Sequence, residues 1–75
     1  MNSKSLRIKI EDAHFPPSAY TLFSPPRDET LCIEYCSPFW VVFYSERGLQ
    51  TGKMKFTSET DACDYFYKKL SSWFV

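Results

Sequence analysis

The run from Phe39 to Ser45 constrains the fold of this chain more than any other segment. Side chains on a strand point alternately to opposite faces. Trp40, Val42 and Tyr44 therefore share one face, and Phe39, Val41 and Phe43 share the other. A strand apolar on both faces belongs at the centre of a sheet. On either side lie Leu31 to Tyr35 and Gln50 to Thr57, also rich in β-branched and aromatic residues. Cys36-Ser37-Pro38 and Glu46-Arg47-Gly48-Leu49 separate them, and separators this short join antiparallel neighbours. Gly48 and Gly52 flank the second hairpin, where positive φ is wanted. The third strand is asymmetric, with Met54 and Phe56 on one side and Lys53, Lys55 and Thr57 on the other.

Ser58-Glu59-Thr60-Asp61 supplies a helix start: the serine oxygen is placed to accept the amide of residue 61, and acids sit at the positive end of the helix dipole. Beyond it Ala62, Phe66, Leu70 and Trp73 follow helical spacing, with Cys63 and Phe74 widening the stripe. The expected fold is α+β, a three- to four-stranded antiparallel meander with a C-terminal helix packed on one face. One domain over 1–75 is expected, because a chain this short has room for no more. Its parts read as a flexible tail over 1–5, an extended proline-flanked segment over 6–30, the meander over 31–57 and the helix over 58–75. Within the second part, Leu6, Ile8 and Ile10 alternate with Arg7 and Lys9 and read as a short strand, a helical turn being the alternative. Phe15-Pro16-Pro17 and Ser24-Pro25-Pro26 bracket Tyr20 to Phe23 and predict an extended loop or edge strand. The stretch from Leu6 to Phe23 is expected to cover the sheet face opposite the helix.

Composition narrows the function. Nine Lys and Arg balance nine Asp and Glu, which leaves no net field to draw phosphate backbones. No run approaches the roughly 18 apolar residues of a membrane span, and the N-terminus lacks the apolar stretch of a signal peptide. A soluble protein of the cytoplasm is expected, bound directly to neither nucleic acid nor membrane. Cys32, Cys36 and Cys63 cannot all pair within one chain and read as reduced, buried small hydrophobes. With His14 the only histidine, neither a metal site nor a cofactor is implied. His14 beside its prolines reads as a surface residue, and no nucleophile and base, carboxylate pair or phosphate-binding loop stands out. The chain reads as a non-enzymatic binder.

The stretch Trp40-Val41-Val42-Phe43-Tyr44-Ser45-Glu46-Arg47-Gly48, followed by Phe56, Ser58-Glu59, Ala62-Cys63 and Tyr65-Phe66, resembles a pattern in small bacterial immunity proteins. These belong to contact-dependent growth inhibition and related polymorphic toxin systems. The resemblance spans about Leu31 to Leu70, and Tyr44 to Gly48 is its most specific part. It implies the function of an immunity protein: binding and neutralising a cognate secreted toxin domain, often a nuclease, by blocking its active site or an adjacent surface. Trp40, Ser45, Arg47, Gly48 and Phe56 are motif residues with an expected structural role, Arg47 through a side-chain to backbone hydrogen bond at the hairpin.

Nuclease clefts are basic, so carboxylates are the natural contacts for such a partner. Asp28, Glu29 and Glu34, with Glu46 and Tyr44 at the hairpin end, are the expected toxin-binding residues. The competing reading is a regulatory or antitoxin-like protein acting on a nucleic-acid complex, through a basic and aromatic surface of Lys53 and Lys55 with Tyr44 nearby. Aromatic residues beyond what a small core can bury would also favour self-association.

Overall fold

The computed structural model describes Met1–Phe74; Val75, the last residue of the helix expected over 58–75, lies outside the described residues. The chain runs through helix α1 (Ser3–Asp12), a 3-10 turn (Pro17–Ala19), strands β1 (Tyr20–Leu22), β2 (Thr30–Cys36), β3 (Phe39–Glu46) and β4 (Leu49–Phe56), and helix α2 (Glu59–Ser71). The four strands form one sheet in the order β1-β2-β3-β4.

The meander forms as its sequence demands. β3 pairs antiparallel with β2, Cys32 opposite Phe43 and Ile33 opposite Val42, and antiparallel with β4, Val42 opposite Met54. Val41, Val42 and Phe43 are buried on alternate faces, as a central strand requires. Arg47 and Gly48 make the β3–β4 turn with φ of 51° and 78°, the left-handed pair whose twist suits a two-residue hairpin. Between Val42 and Tyr44 the β4 register slips by one residue, at Gly52 with φ 63°. A bulge of this kind absorbs an extra residue and bends the strand.

The sheet is mixed, not wholly antiparallel. β1 lies parallel to β2, Tyr20 opposite Leu31 and Leu22 opposite Ile33. Parallel neighbours ordinarily need a crossover of about a dozen residues or more, yet only residues 23–29 intervene here. The return is short because β1 has three residues, roughly 10 Å of strand. Phe23 and Glu29, with φ of 55° and 56°, reverse the chain at each end of the connection. Arg27 then clips it down: Nη2 donates to the carbonyls of Pro17 at 2.7 Å and Tyr20 at 2.6 Å, and Nε donates to Thr21 Oγ1 at 3.4 Å. Thr30 Oγ1 donates to the Arg27 carbonyl at 2.7 Å and lies 3.0 Å from Thr21 Oγ1. The buried hydroxyls of Thr21 and Thr30 thus satisfy each other.

The N-terminal segment departs most from expectation. Residues 3–12 form a helix, not a tail followed by a strand. The Asn2 side chain caps it by accepting the Ser5 amide at 2.8 Å. Leu6 and Ile10, one helical turn apart, are buried while Ile8 is 52% exposed. Five alternating residues fit a strand and one face of a helix equally well, and docking against α2 decides between them. His14, with φ 59°, ends the helix in the left-handed conformation, its amide donating to the Glu11 carbonyl at 3.1 Å. It is exposed.

Both helices lie in one layer. Leu6 and Ile10 of α1 join Ala62, Cys63, Phe66 and Leu70 of α2 over Leu22, Leu31, Ile33 and Val42 of the sheet in a single core. α1 therefore sits beside α2, and the expectation that Leu6 to Phe23 covers the opposite face is overturned. On that outer face Cys32, Val41 and Phe43 form a second, small cluster with Phe39. Lys53 lies over the Phe43 ring at 6.0 Å and Lys55 over Phe39 at 5.6 Å. Aliphatic stems cover apolar surface while their ammonium groups stay in water. The capping expected at Ser58 is present, its Oγ accepting the Asp61 amide at 3.4 Å. α2 ends at Ser71, however, short of the expected stripe, and Trp73 and Phe74 follow in a turn.

Candidate functional site

The residues around Tyr44 gather at one end of the sheet for reasons of register. Leu31 pairs with Tyr44 and Thr30 with Ser45, so Glu29, just before β2, and Glu46, at the end of β3, come off the same end of adjacent strands. The helix layer does not reach across this end. Between it and the sheet opens a groove of about 640 Å³. Its base is Leu31 and Val42, its walls are Tyr44, Tyr65 and Trp73, and Glu29 and Lys69 line its mouth. Thr51 and Gly52 border it at the β4 bulge, where the bare glycine backbone keeps the wall low.

The chain beyond α2 builds the groove's most exposed wall. Trp73 and Phe74 diverge: Trp73 meets Tyr44 edge to face, ring centres 5.6 Å apart and planes at 87°. Phe74 stacks on Phe15 at 5.2 Å, and Phe15 lies 6.0 Å from Tyr67 of α2. Amides of Trp73 and Phe74 donate to the carbonyls of Leu70 and Ser71 at 3.1 and 3.0 Å, tightening the turn. Trp73 is 41% exposed, so the residue read as core stripe is a wall of the groove.

Burial at the groove raises the Tyr44 hydroxyl above its usual pKa of 10.0, and the carboxylates of Glu46, Glu29 and Asp28 raise it further. Three of the four expected acids thus act on one aromatic residue. Glu34 does not join them: it lies toward the other end of β2, beside Tyr35, Phe23 and Pro25. In a seven-residue strand the distance from Thr30 to Cys36 separates the two sets. Lys53 and Lys55 are on the outer face, the side opposite Tyr44, so the basic and aromatic surface expected of these three does not form.

Among the motif residues, Trp40 and Phe56 face each other across β3 and β4 and pack against the main core, Phe56 also meeting Tyr65 at 5.2 Å. Ser45 is buried beside Thr30. Arg47 and Gly48 form the exposed turn, and among the described residues Arg47 makes no side-chain hydrogen bond. Its expected bond to the hairpin backbone is absent; left-handed backbone geometry shapes the turn instead.

The cysteines divide. Cys32 and Cys63 are buried, whereas Cys36, expected to be buried with them, is exposed at the end of β2, its Sγ 3.8 Å from Glu34 Oε1. Burial, with Glu59 adding to it, pushes the Cys63 thiol up to about 11. Among the described residues no group of three or more His, Cys, Asp and Glu is placed to hold a metal ion, and no helix is long and apolar enough to cross a membrane. Arg27 and Lys69 escaped sequence reasoning, and Tyr65 entered it only as part of the resemblance. Tyr65 and Lys69 line the groove, at which only the left-handed demand on Gly52 hinted, and Arg27 lies apart from it at the β1–β2 connection. Comparison of the chain with protein-family models, curated proteins and solved structures found no match.

Proposed function

We propose that this protein is an immunity protein that binds and neutralises a cognate secreted toxin domain, a nuclease in the reading its acids favour. The observation that carries the proposal is an open aromatic groove at one end of the sheet, with Glu29 on its lining and Glu46 coming off the same end of the neighbouring strand. Aromatic anchors ringed by charge are the composition of interface hot spots. Carboxylates at the rim would steer a basic cleft toward them and occupy it. An interface of standard size takes about 800 Å² from each partner, roughly one-sixth of the 4793 Å² that this chain exposes. One end of the molecule suffices.

The test is protection. Production of the chain in bacteria should relieve growth arrest by the toxin domain encoded beside it, and the two should co-purify. Asp28→Lys, Glu29→Lys and Glu46→Lys together, all at exposed positions, should weaken that binding at least about tenfold, some 1.4 kcal/mol, with the melting temperature unchanged. Absence of protection, or full affinity in the triple variant, refutes the proposal.

A further inference from the structure

A second depression, about 260 Å³ in volume, lies along the edge strand β1, where Arg7 and Arg27 share the lining with Pro17, Tyr20 and Ser24. Among the described residues no carboxylate is on that lining. Glu11 lies one helical turn beyond Arg7 and Asp28 follows Arg27, yet among the described residues neither acid forms an ion pair with an arginine. Asp28 acts on Tyr44 instead. The lining therefore carries two positive charges with nothing on it to balance them. Arg27 is also fixed in place. Its Nε and Nη2 are engaged by Thr21 Oγ1 and by the carbonyls of Pro17 and Tyr20. Nη1 keeps both of its N–H donors free among the described residues. Arg7, exposed on α1, makes neither a hydrogen bond nor an ion pair there. Ser24 Oγ is tied only to the Leu22 carbonyl, at 3.4 Å.

We propose that this depression binds the phosphoryl group of a small phosphate monoester, held by Arg7 and by the free Nη1 edge of Arg27. Two guanidiniums call for a dianion. A phosphate monoester carries a charge of about −1.5 to −2 near neutral pH, whereas a carboxylate brings a single charge and leaves one cation unmatched. The donor fork of arginine also suits phosphate oxygens in pairs. Because Arg27 is already held, little side-chain freedom is lost when the anion arrives. A water molecule takes up roughly 30 Å³ in the liquid, so the volume admits the phosphoryl group and a short carrier, with Pro17 and Tyr20 as its apolar wall. Among the described residues no further lysine or arginine extends the lining into a track for a phosphate chain. The depression shares no lining residue with the groove at Tyr44, so neither site depends on the other.

Titration of the ¹⁵N-labelled protein with methyl phosphate near neutral pH, at constant ionic strength, tests it. Dimethyl phosphate, with the same phosphorus centre but a single charge, and acetate serve as controls. Shifts should be confined to the Nε–H groups of Arg7 and Arg27 and to the amides of Tyr20, Thr21 and Ser24. Methyl phosphate should bind at least about fivefold more tightly than either control, a factor equal to about 1 kcal/mol. Arg7→Gln should erase most of that preference and leave the urea midpoint unchanged, because Arg7 is exposed and has no partner among the described residues. Arg7→Glu should abolish the shifts. Equal binding of dimethyl phosphate, absence of shifts along β1, or full preference in Arg7→Gln overturns the inference. Acetate binding as tightly as methyl phosphate overturns it in favour of a carboxylate. Tighter binding of an oligonucleotide without a terminal phosphate also overturns it, in favour of a nucleic-acid strand.

Discussion

Replacing Leu6 and Ile8 by alanine, one at a time, tests the part of this fold where alternation and helical packing disagree. Leu6 is fully buried between α2 and the sheet, whereas Ile8, two residues on, is 52% exposed. Removing a buried leucine side chain costs the transfer of its methylenes and leaves a cavity, about 2–5 kcal/mol in all. For 75 residues the whole stability expected is only about 4–11 kcal/mol. Leu6→Ala should therefore take away about 3 kcal/mol, a quarter to most of the total. At a urea dependence of about 1 kcal/mol per molar for so small a protein, the unfolding midpoint should fall by about 3 M. Ile8→Ala should remain within about 0.5 kcal/mol of the parent, as exposed substitutions do. Equilibrium urea unfolding, followed by both tryptophan fluorescence and far-ultraviolet circular dichroism, measures the pair. Equal losses would mean that Leu6 and Ile8 share a buried strand face. No loss in either would mean that residues 3–12 do not dock, and either result refutes the packing described.

Further substitutions probe other elements. Arg27→Met keeps the aliphatic stem but removes the donors that clip the β1–β2 connection; discounted for exposure, it should cost about 1–2 kcal/mol and speed hydrogen exchange at the Phe23 amide, which donates to Ile33 at 2.9 Å. Unchanged exchange there would refute the clip. Arg47→Asn should stabilise the hairpin by up to about 1 kcal/mol, because asparagine adopts positive φ more easily than arginine, and a loss in thermal melting would reveal a contact of the arginine side chain. Near neutral pH a thiol reagent should label Cys36 rapidly and spare Cys32 and Cys63 until unfolding. The raised Cys63 pKa also has a sign in stability. As pH climbs, the unfolded chain loses the thiol proton near 9.0 and the folded one only near 11, so its contribution is complete below about 9 and is lost between there and 11. Cys63→Ala should flatten that alkaline decline, measured as urea midpoint against pH.

Local pattern alone determined the meander and the start of α2. β3 carries apolar residues on both alternating faces, its neighbours are joined by short turns, and Ser58 caps the helix that follows. Such signals are short in range: side-chain alternation, turn conformation and a hydroxyl three residues from an amide need no distant partner. The candidate site was legible only in pieces, with Tyr44, Glu29 and Glu46 visible as residues but not as neighbours. Tertiary structure alone decided the rest. Leu6, Ile8 and Ile10 satisfy two periodicities at once, and only the apolar surface offered by α2 selects the helical one. Two proline pairs marked an extended segment, but its parallel pairing depends on Arg27 reaching back to Pro17 and Tyr20. Trp73 kept helical spacing, yet the helix stops at Ser71 because Phe74 finds Phe15 from the other end of the chain, and that contact turns the indole out to build the groove. For α1 and for the C-terminal turn, local energies of similar size competed and packing between segments far apart in sequence settled the outcome; for β1 the deciding contacts are the hydrogen bonds of Arg27.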